Sequence, residues 1–254
     1  MRRVYRSDCP CPAIWAASVS KALPDRTEFL RCAEEFEKLQ INSLARREGF
    51  ASHSPQVLKK GNSGKPGFPG IWGRHKEVIA DMSRRKCAYC EGKINAVRSA
   101  HVEHFQPKSL FPSMAYEWAN YFLGCAGCNG AKGDKWPTHG GYLRPDKGDP
   151  SSRFVFREDG TVEAAKAGDA ADRMLVDFDL RRKWLADERK QNIEWMLQML
   201  KEAIELGRNG HLQIAKRLAR TLLKTIETPE RAYSVALTQC FWRAWKSAFP
   251  GEGV

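Results

Sequence analysis

Two Cys-x-x-Cys motifs near the middle of the chain constrain its fold more than any other feature of its 254 residues. Cys87-Ala-Tyr-Cys90 precedes Cys125-Ala-Gly-Cys128, and 34 residues separate the two motifs. Each motif can present two thiolates to one metal ion, so together they predict a tetrahedral zinc site of four cysteines. Such a zinc is structural, because the four cysteines fill every coordination position and leave none for water. Two unrelated cysteine pairs are the alternative.

The segment around these motifs, residues 87–137, is rich in turn-forming residues and has little room for an aliphatic core, so it needs a metal to fold. The separation of the motifs exceeds the roughly 15 to 20 residues of an ordinary zinc ribbon, which predicts an insertion between the halves of the site. A secreted disulfide scaffold would be shorter and denser in cysteine than this chain, which has eight. Reduced, metal-binding thiols favour a cytoplasmic protein, and secretion through the apolar stretch Ala13–Val19 is the alternative.

The chain carries 42 Lys and Arg residues against 30 Asp and Glu residues, a net charge of +12. A surplus of this size favours polyanionic partners, with nucleic acid first among them, and a protein that is simply basic is the alternative. The longest run without a charged residue, Trp118–Ala131, has 14 residues and falls short of the roughly 18 that cross a bilayer. The sequence therefore predicts no membrane-spanning helix.

The spacing of apolar residues divides the chain into helical regions around the cysteine-bearing segment. We predict an N-terminal helical region and linker over residues 1–70, a central module over 71–150, and a β-hairpin with C-terminal helices over 151–254. The predicted elements are helices over Asp25–Arg47 and Ile71–Arg85, a loop over Ala51–Gly70, a hairpin over Arg153–Glu163 with its turn at Asp159-Gly160, and helices over Ala171–Leu206 (broken near Asp179), Leu212–Ile226 and from a cap at Thr228-Pro229 to Ala248. This outline predicts the α+β class, with mostly α-helical arms around a small zinc-stapled module.

The insertion between the cysteine motifs contains residues suited to phosphodiester hydrolysis. The pair Glu103-His104 lies in the run His101-Val-Glu-His-Phe-Gln-Pro-Lys108, Asn120 follows sixteen residues after the histidine, and Asn129 adjoins the last cysteine. His104 can take a proton from an attacking water, because an imidazole has a pKa near neutrality. Glu103 and Asn129 offer oxygen ligands for one Mg²⁺ or Mn²⁺ ion, which would stabilise the negative charge that develops on the phosphate. Alone, a Glu-His pair is an ordinary surface or core feature, so the prediction depends on the order and spacing of all the parts.

This order of parts resembles the HNH, or ββα-metal, nuclease motif. The segments Tyr-Glu-Trp-Ala-Asn, Cys-Asn-Gly-Ala-Lys-Gly-Asp and the later Phe178-Asp-Leu180 are similar to the PtuB-type nuclease family of the Septu anti-phage system, which also occurs with some retrons. The resemblance is specific over residues 87–137 and looser over the helical arms. It implies a metal-dependent endonuclease that cuts DNA in bacterial defence, together with an ATPase of the PtuA type that docks on the helical regions.

The resemblance adds roles for individual residues. Asn120 resembles the middle asparagine of the motif, whose side chain holds the backbone of the loop that carries the base. Lys132 and Lys108 are candidates for contacting the phosphates of a nucleic acid. Many HNH nucleases have Asp at the position of Glu103, and both side chains are oxygen donors. His101 shares a strand face with Glu103 and is either an auxiliary ligand or a structural residue.

Two other functions remain open at this point. An RNA-cleaving HNH enzyme is possible, because nothing in a one-metal site selects deoxyribose over ribose. A non-catalytic zinc ribbon that binds nucleic acid or organises a complex is the alternative from another class. The joint presence of Glu103, His104 and Asn129 argues against the ribbon, which requires only the cysteines.

Overall fold

A computed structural model describes residues 15–19, 30, 70–94 and 99–254 of the chain. Apart from Leu30 and Gly70, the predicted helix over Asp25–Arg47 and the predicted loop over Ala51–Gly70 lie outside these residues. Within the described ranges, no helix combines the length and the low charge content that crossing a bilayer requires.

The described residues form helices and two small antiparallel sheets, which confirms the predicted α+β class. Residues 15–19 are helical, and the other α-helices are α1 (Lys76–Met82), α2 (Ala126–Lys132), α3 (Ala170–Asp177), α4 (Lys183–Arg208), α5 (Leu212–Ile226) and α6 (Ser234–Ala248). The strands are β1 (Ala100–His104), β2 (Tyr121–Cys125), β3 (Phe154–Phe156) and β4 (Val162–Ala164). Short 3-10 helices span Ile71–His75, Pro112–Tyr116, Trp118–Asn120 and Pro150–Arg153.

The central module consists of β1, β2 and α2. The two strands pair antiparallel, with His101 opposite Gly124 and Glu103 opposite Phe122. Every residue of β2 is buried, so this strand lies in the core of the module. Helix α1 packs against both strands. Helix α2 begins directly after β2 and packs on the same hairpin. Side chains alternate along a strand, so the face of β1 that bears His101 and Glu103 is distinct from the face that bears His104.

The predicted second hairpin is present as β3 and β4, which pair antiparallel over Phe154–Phe156 and Val162–Ala164. Its turn lies at Asp159-Gly160, as predicted from the dipeptide. The Asp159 carboxylate accepts a hydrogen bond from the Thr161 amide at 2.9 Å, and Gly160 adopts a φ of 81°. This is a left-handed conformation that glycine adopts without steric cost.

Gly160 also touches helix α4 so closely that a side chain cannot fit. A Cβ atom at this position would lie 2.0 Å from the Ala186 carbonyl oxygen and 2.8 Å from the Lys190 amide nitrogen. We expect Gly160→Ala to lower the free energy of unfolding by about 2–4 kcal/mol, from overpacking and left-handed strain together. Urea denaturation measures this loss. Gly168 is the matched control, because its φ is 72° but a Cβ atom there would have no neighbour within 4 Å. Equal losses in the two variants would contradict the clash.

The C-terminal helices follow the predicted boundaries in most places. The predicted break near Asp179 separates α3 from α4, and Asp179 has a φ of 49°. Helix α5 spans Leu212–Ile226 as predicted, after a turn at Asn209-Gly210. Helix α4 packs against both α5 and α6 and buries one stripe of apolar side chains among them. These three helices form the main core of the C-terminal region.

The predicted start of the last helix was wrong, because α6 begins at Ser234 and not near Thr228-Pro229. Tyr233, just before the helix, has a φ of 56°, which ends the preceding turns. The Glu91 carboxylate then accepts hydrogen bonds from the Ser234 hydroxyl at 3.2 Å and from the Val235 amide at 3.3 Å. A residue far away in the sequence therefore caps the helix, and no local pattern reveals such a cap.

Candidate active site and metal centre

The four cysteines of the two motifs form one buried cluster. All four sulfur atoms lie within 4.8 Å of one another, and those of Cys90 and Cys125 are 3.9 Å apart. Zinc–sulfur bonds of about 2.3 Å in a tetrahedron place the sulfur atoms about 3.8 Å apart. None of the four cysteines forms a disulfide. The cluster therefore has the donor chemistry and the size of a four-cysteine zinc site.

Backbone hydrogen bonds hold these cysteines where the turn after α1, strand β2 and helix α2 meet. The first pair lies in a turn after α1, where the Glu91 amide donates to the Cys87 carbonyl at 3.0 Å. The Ala88 amide donates to the Leu123 carbonyl at 2.8 Å, which joins this turn to β2. The second pair lies at the end of β2 and in the first turn of α2. A metal held there would join the turn, the hairpin and the helix.

Arg182 is a residue of this centre that sequence reasoning missed. It lies between α3 and α4, and its Nη2 atom is 3.3 Å from the Cys128 sulfur and 3.8 Å from the Cys125 sulfur. A Cβ atom on Gly127 would lie 3.2 Å from the same Nη2, so glycine provides space for the guanidinium. Zinc with four thiolates carries a net charge of −2, which a nearby guanidinium offsets. The only sequence signal is the arginine-rich segment after Phe178-Asp-Leu180, and that segment does not single out one arginine.

We expect Arg182→Met to accelerate zinc release to a chelator by about 10-fold or more, because partners of metal ligands typically change metal affinity by 10–100-fold. A colorimetric zinc chelator in excess measures the rate. Arg181→Met is the matched control, since Arg181 is half-exposed and its guanidinium lies 3.6 Å from the Asp172 carboxylate. Equal release rates in the two variants would show that Arg182 does not support the cluster.

Glu103 lies on the face of β1 that carries His101, and its side chain is buried. Its Oε1 atom is 2.6 Å from the Lys132 ammonium nitrogen. Burial raises the pKa of Glu103 to about 7, although the ammonium opposes the shift. The structure therefore places a carboxyl group of elevated pKa directly before His104 at the end of β1.

Asn129 on α2 approaches Glu103 across a gap that a glycine keeps open. A Cβ atom at Gly124 would lie 3.3 Å from the Glu103 Cβ and 3.6 Å from the Asn129 Cβ. The Asn129 amide nitrogen is also 3.2 Å from Nδ1 of His101. Carboxylate and amide oxygens suit Mg²⁺ and Mn²⁺. The residues predicted as ligands therefore lie together, and this donor set fits one divalent cation.

His104 lies on the other face of β1, between aromatic rings. Its ring centroid is 4.8 Å from that of Trp72 and 4.9 Å from that of Tyr121. The Nε2 atom is 3.2 Å from the Ala115 carbonyl oxygen. Burial lowers the pKa of His104 to about 3, so the imidazole is neutral at physiological pH. A neutral imidazole can accept a proton, but a pKa this far below neutrality makes His104 a weaker base than the ordinary imidazole on which the sequence-based prediction depends.

Asn120 is completely buried and hydrogen-bonded to the loop that follows β1. Its Oδ1 atom accepts from the Gln106 amide at 2.8 Å. Its Nδ2 atom donates to the carbonyls of Gln106 and Met114, each at 3.0 Å. These three bonds hold both ends of the loop that leads to Ala115, the partner of His104.

The two lysines predicted to contact nucleic acid have different surroundings. Lys108 is half-buried, and its ammonium nitrogen lies 4.7 Å from the centroid of the Trp72 ring. The side chain of Lys132 is only 1% exposed, and its ammonium faces Glu103 and the His104 carbonyl. Phosphate contact by either lysine stays a prediction, and the burial of Lys132 does not favour it.

Comparison with known families agrees with this geometry. Residues 87–135 match the family model of HNH endonucleases. The match contains the four clustered cysteines together with Glu103, His104, Asn120 and Asn129. This part of the chain is therefore an HNH endonuclease domain, which confirms the predicted resemblance.

The chain is similar to two relatives, each of which is named Septu protein PtuB. The chain is 31% identical to the one from Bacillus thuringiensis, over 41% of this chain and 39% of that relative. It is 24% identical to the one from Bacillus mycoides strain KBAB4, over 65% of this chain and 72% of that relative. The match to the Bacillus thuringiensis protein thus spans less than half of that protein's length.

Proposed function

We propose that this protein is a metal-dependent HNH endonuclease that hydrolyses DNA phosphodiester bonds in anti-phage defence. The observation that supports this proposal most is that Glu103 and Asn129 lie together, directly before His104 ends β1, inside a segment that matches HNH endonucleases. The names of the two Bacillus relatives support the Septu assignment.

A divalent cation held by Glu103 and Asn129 would stabilise the charge on the scissile phosphate and lower the pKa of an attacking water. His104 is the base that removes the proton of that water. A carbonyl oxygen can only accept a hydrogen bond, so the His104 nitrogen that faces Ala115 must carry the hydrogen. The other ring nitrogen, Nδ1, is then the basic atom.

Asn120 has an indirect role in this mechanism. By holding Gln106 and Met114, it fixes the position of the Ala115 carbonyl next in the chain. The Tyr121 hydroxyl donates to the same carbonyl. The Ala115 carbonyl in turn sets the tautomer and the orientation of His104, as a hydrogen bond to one ring nitrogen generally does.

The surroundings of the site suit a nucleic acid. The net charge of +12 favours binding to a phosphate backbone. The Lys108 ammonium, which lies over the Trp72 ring, is one of the positive charges near the site. The similarity to PtuB favours DNA as the substrate. By the same similarity we propose a complex with an ATPase of the PtuA type, docked on the C-terminal helices, and a place in the cytoplasm.

A plasmid-cleavage assay tests the proposal. Brief treatment with EDTA, at a concentration that leaves the zinc in place, is expected to stop cleavage, and added Mg²⁺ or Mn²⁺ is expected to restore it. A structured RNA in parallel reactions distinguishes the two substrates. Cleavage of RNA alone would favour the RNA-cleaving alternative, and restoration by zinc alone would contradict a site built for Mg²⁺.

A further inference from the structure

The buried ammonium of Lys132 connects the candidate cation ligand to the candidate base. Its nitrogen lies 2.6 Å from Oε1 of Glu103 and donates to the carbonyl of His104 at 2.9 Å and to that of Gly133 at 3.4 Å. The contact with Glu103 is an ion pair, and the contacts with the two carbonyls are hydrogen bonds. The Lys132 side chain is only 1% exposed, so a phosphate can reach the ammonium only if the packing around it opens.

We propose that Lys132 is a positioning residue, which fixes the Glu103 carboxylate and the main chain of His104, and that it does not bind nucleic acid. The inference rests on the proposed function for the roles of Glu103 and His104. The side chains of Glu103 and His104 lie on opposite faces of β1. A third side chain can therefore contact both residues only at the end of the strand, by reaching the side chain of one residue and the main chain of the other. Lys132 meets this condition from the last residue of α2.

The contacts also determine which oxygen of Glu103 can serve the cation. The ammonium holds Oε1, so Oε2 is the oxygen that remains for the divalent ion. The ammonium therefore restricts the rotamer of the carboxylate. Displacement of a catalytic group by 1 Å can cost about 100-fold in rate, so a carboxylate held in one orientation is valuable to the site.

Acetylation of lysines in the wild-type chain tests the burial directly and needs no variant. The zinc-loaded protein is treated with acetic anhydride, with and without a DNA duplex, and modified lysines are identified by mass spectrometry. Lys132 is expected to stay unmodified in both samples, whereas the exposed Lys135 reacts in the absence of DNA. Modification of Lys132 at the rate of Lys135, with protection by DNA, would overturn the proposal in favour of a phosphate contact.

A pair of matched variants tests the positioning role. Lys132→Met and Lys135→Met each remove one positive charge from the same segment. The first removes it from the buried interior and the second from the surface. Electron paramagnetic resonance of free Mn²⁺ measures the Mn²⁺ dissociation constant of each folded, zinc-loaded protein, and fluorescence anisotropy in EDTA-free, metal-free buffer measures DNA affinity. We expect Lys132→Met to weaken Mn²⁺ binding by about 10–100-fold while its DNA affinity stays within about 2-fold of that of Lys135→Met. Unchanged Mn²⁺ binding with weaker DNA binding would overturn the proposal.

Glu103→Ala in the same Mn²⁺ titration distinguishes a failure of the positioning role of Lys132 from a failure of the proposed cation site. If Glu103→Ala loses Mn²⁺ binding and Lys132→Met keeps it, the positioning role fails and the proposed function stands. If Glu103→Ala binds Mn²⁺ as the wild type does, the cation site itself is wrong, which is a failure of the proposed function. Loss of binding in both variants, with a normal affinity in Lys135→Met, supports the role given to Lys132.

Discussion

His104→Ala is expected to lower the rate of DNA cleavage by at least about 100-fold, because general-base catalysis contributes about 10²–10⁴-fold. The loss should persist at saturating Mg²⁺ or Mn²⁺, since no cation replaces a missing base. Affinity for DNA should stay near the wild-type value, because it comes mainly from Lys and Arg residues that neutralise phosphates. Single-turnover cleavage and binding assays on the same preparation measure both quantities.

The surroundings of His104 call for two controls. Its ring packs between Trp72 and Tyr121, so the alanine variant leaves a cavity and loses some stability. His104→Gln fills more of this space and should be equally inactive, with a smaller loss in Tm. His139→Ala removes an exposed histidine from the following segment and should cleave normally. An active His104→Gln variant would overturn the assignment of the base.

Loss of one zinc ligand is expected to have the largest effect on folding. Cys87→Ser should abolish stoichiometric zinc binding and unfold the central module, because structural zinc contributes about 10–16 kcal/mol of apparent binding free energy in small zinc domains. The cysteines join the turn after α1 to β2 and α2, in a module whose other buried side chains include Tyr89 and Phe122. Elemental analysis and thermal unfolding measure zinc content and stability.

Cys240→Ser is the control for this variant. Cys240 is a buried thiol on α6 that lies outside the cluster, so its replacement should cost some stability and leave about one zinc per chain. A Cys87→Ser protein that is folded, active and free of zinc would show that the cluster has no structural role.

The sequence predicts those parts of this protein that depend on local chemistry. The two cysteine turns, the Asp159-Gly160 hairpin and the boundaries of α5 all follow from short patterns, and the structure has each of them. The candidate site also follows from short-range order, because Asn129 adjoins Cys128 and Glu103 lies on the strand that pairs with the strand ending at Cys125. Spacing along the chain therefore carries much of the information in the central module.

The features that sequence reasoning missed are tertiary contacts between distant segments. The start of α6 depends on Glu91, which precedes it by 143 residues, and the partner of the cysteine cluster is Arg182 on the turn before α4. The burial of Lys132 has the same origin. The sequence predicts that Lys132 contacts a phosphate, but the partners that the ammonium meets depend on how α2 packs on β1.

We propose separate sites for two metals, a structural one at the cysteines and a catalytic one at Glu103 and Asn129. Anomalous diffraction at the zinc and manganese edges, from crystals grown with Mn²⁺ and a DNA duplex, tests this claim most directly. We expect a zinc peak among the sulfur atoms of Cys87, Cys90, Cys125 and Cys128, and a manganese peak between Glu103 and Asn129. A manganese peak elsewhere in the chain, with none at these two residues, would contradict the account.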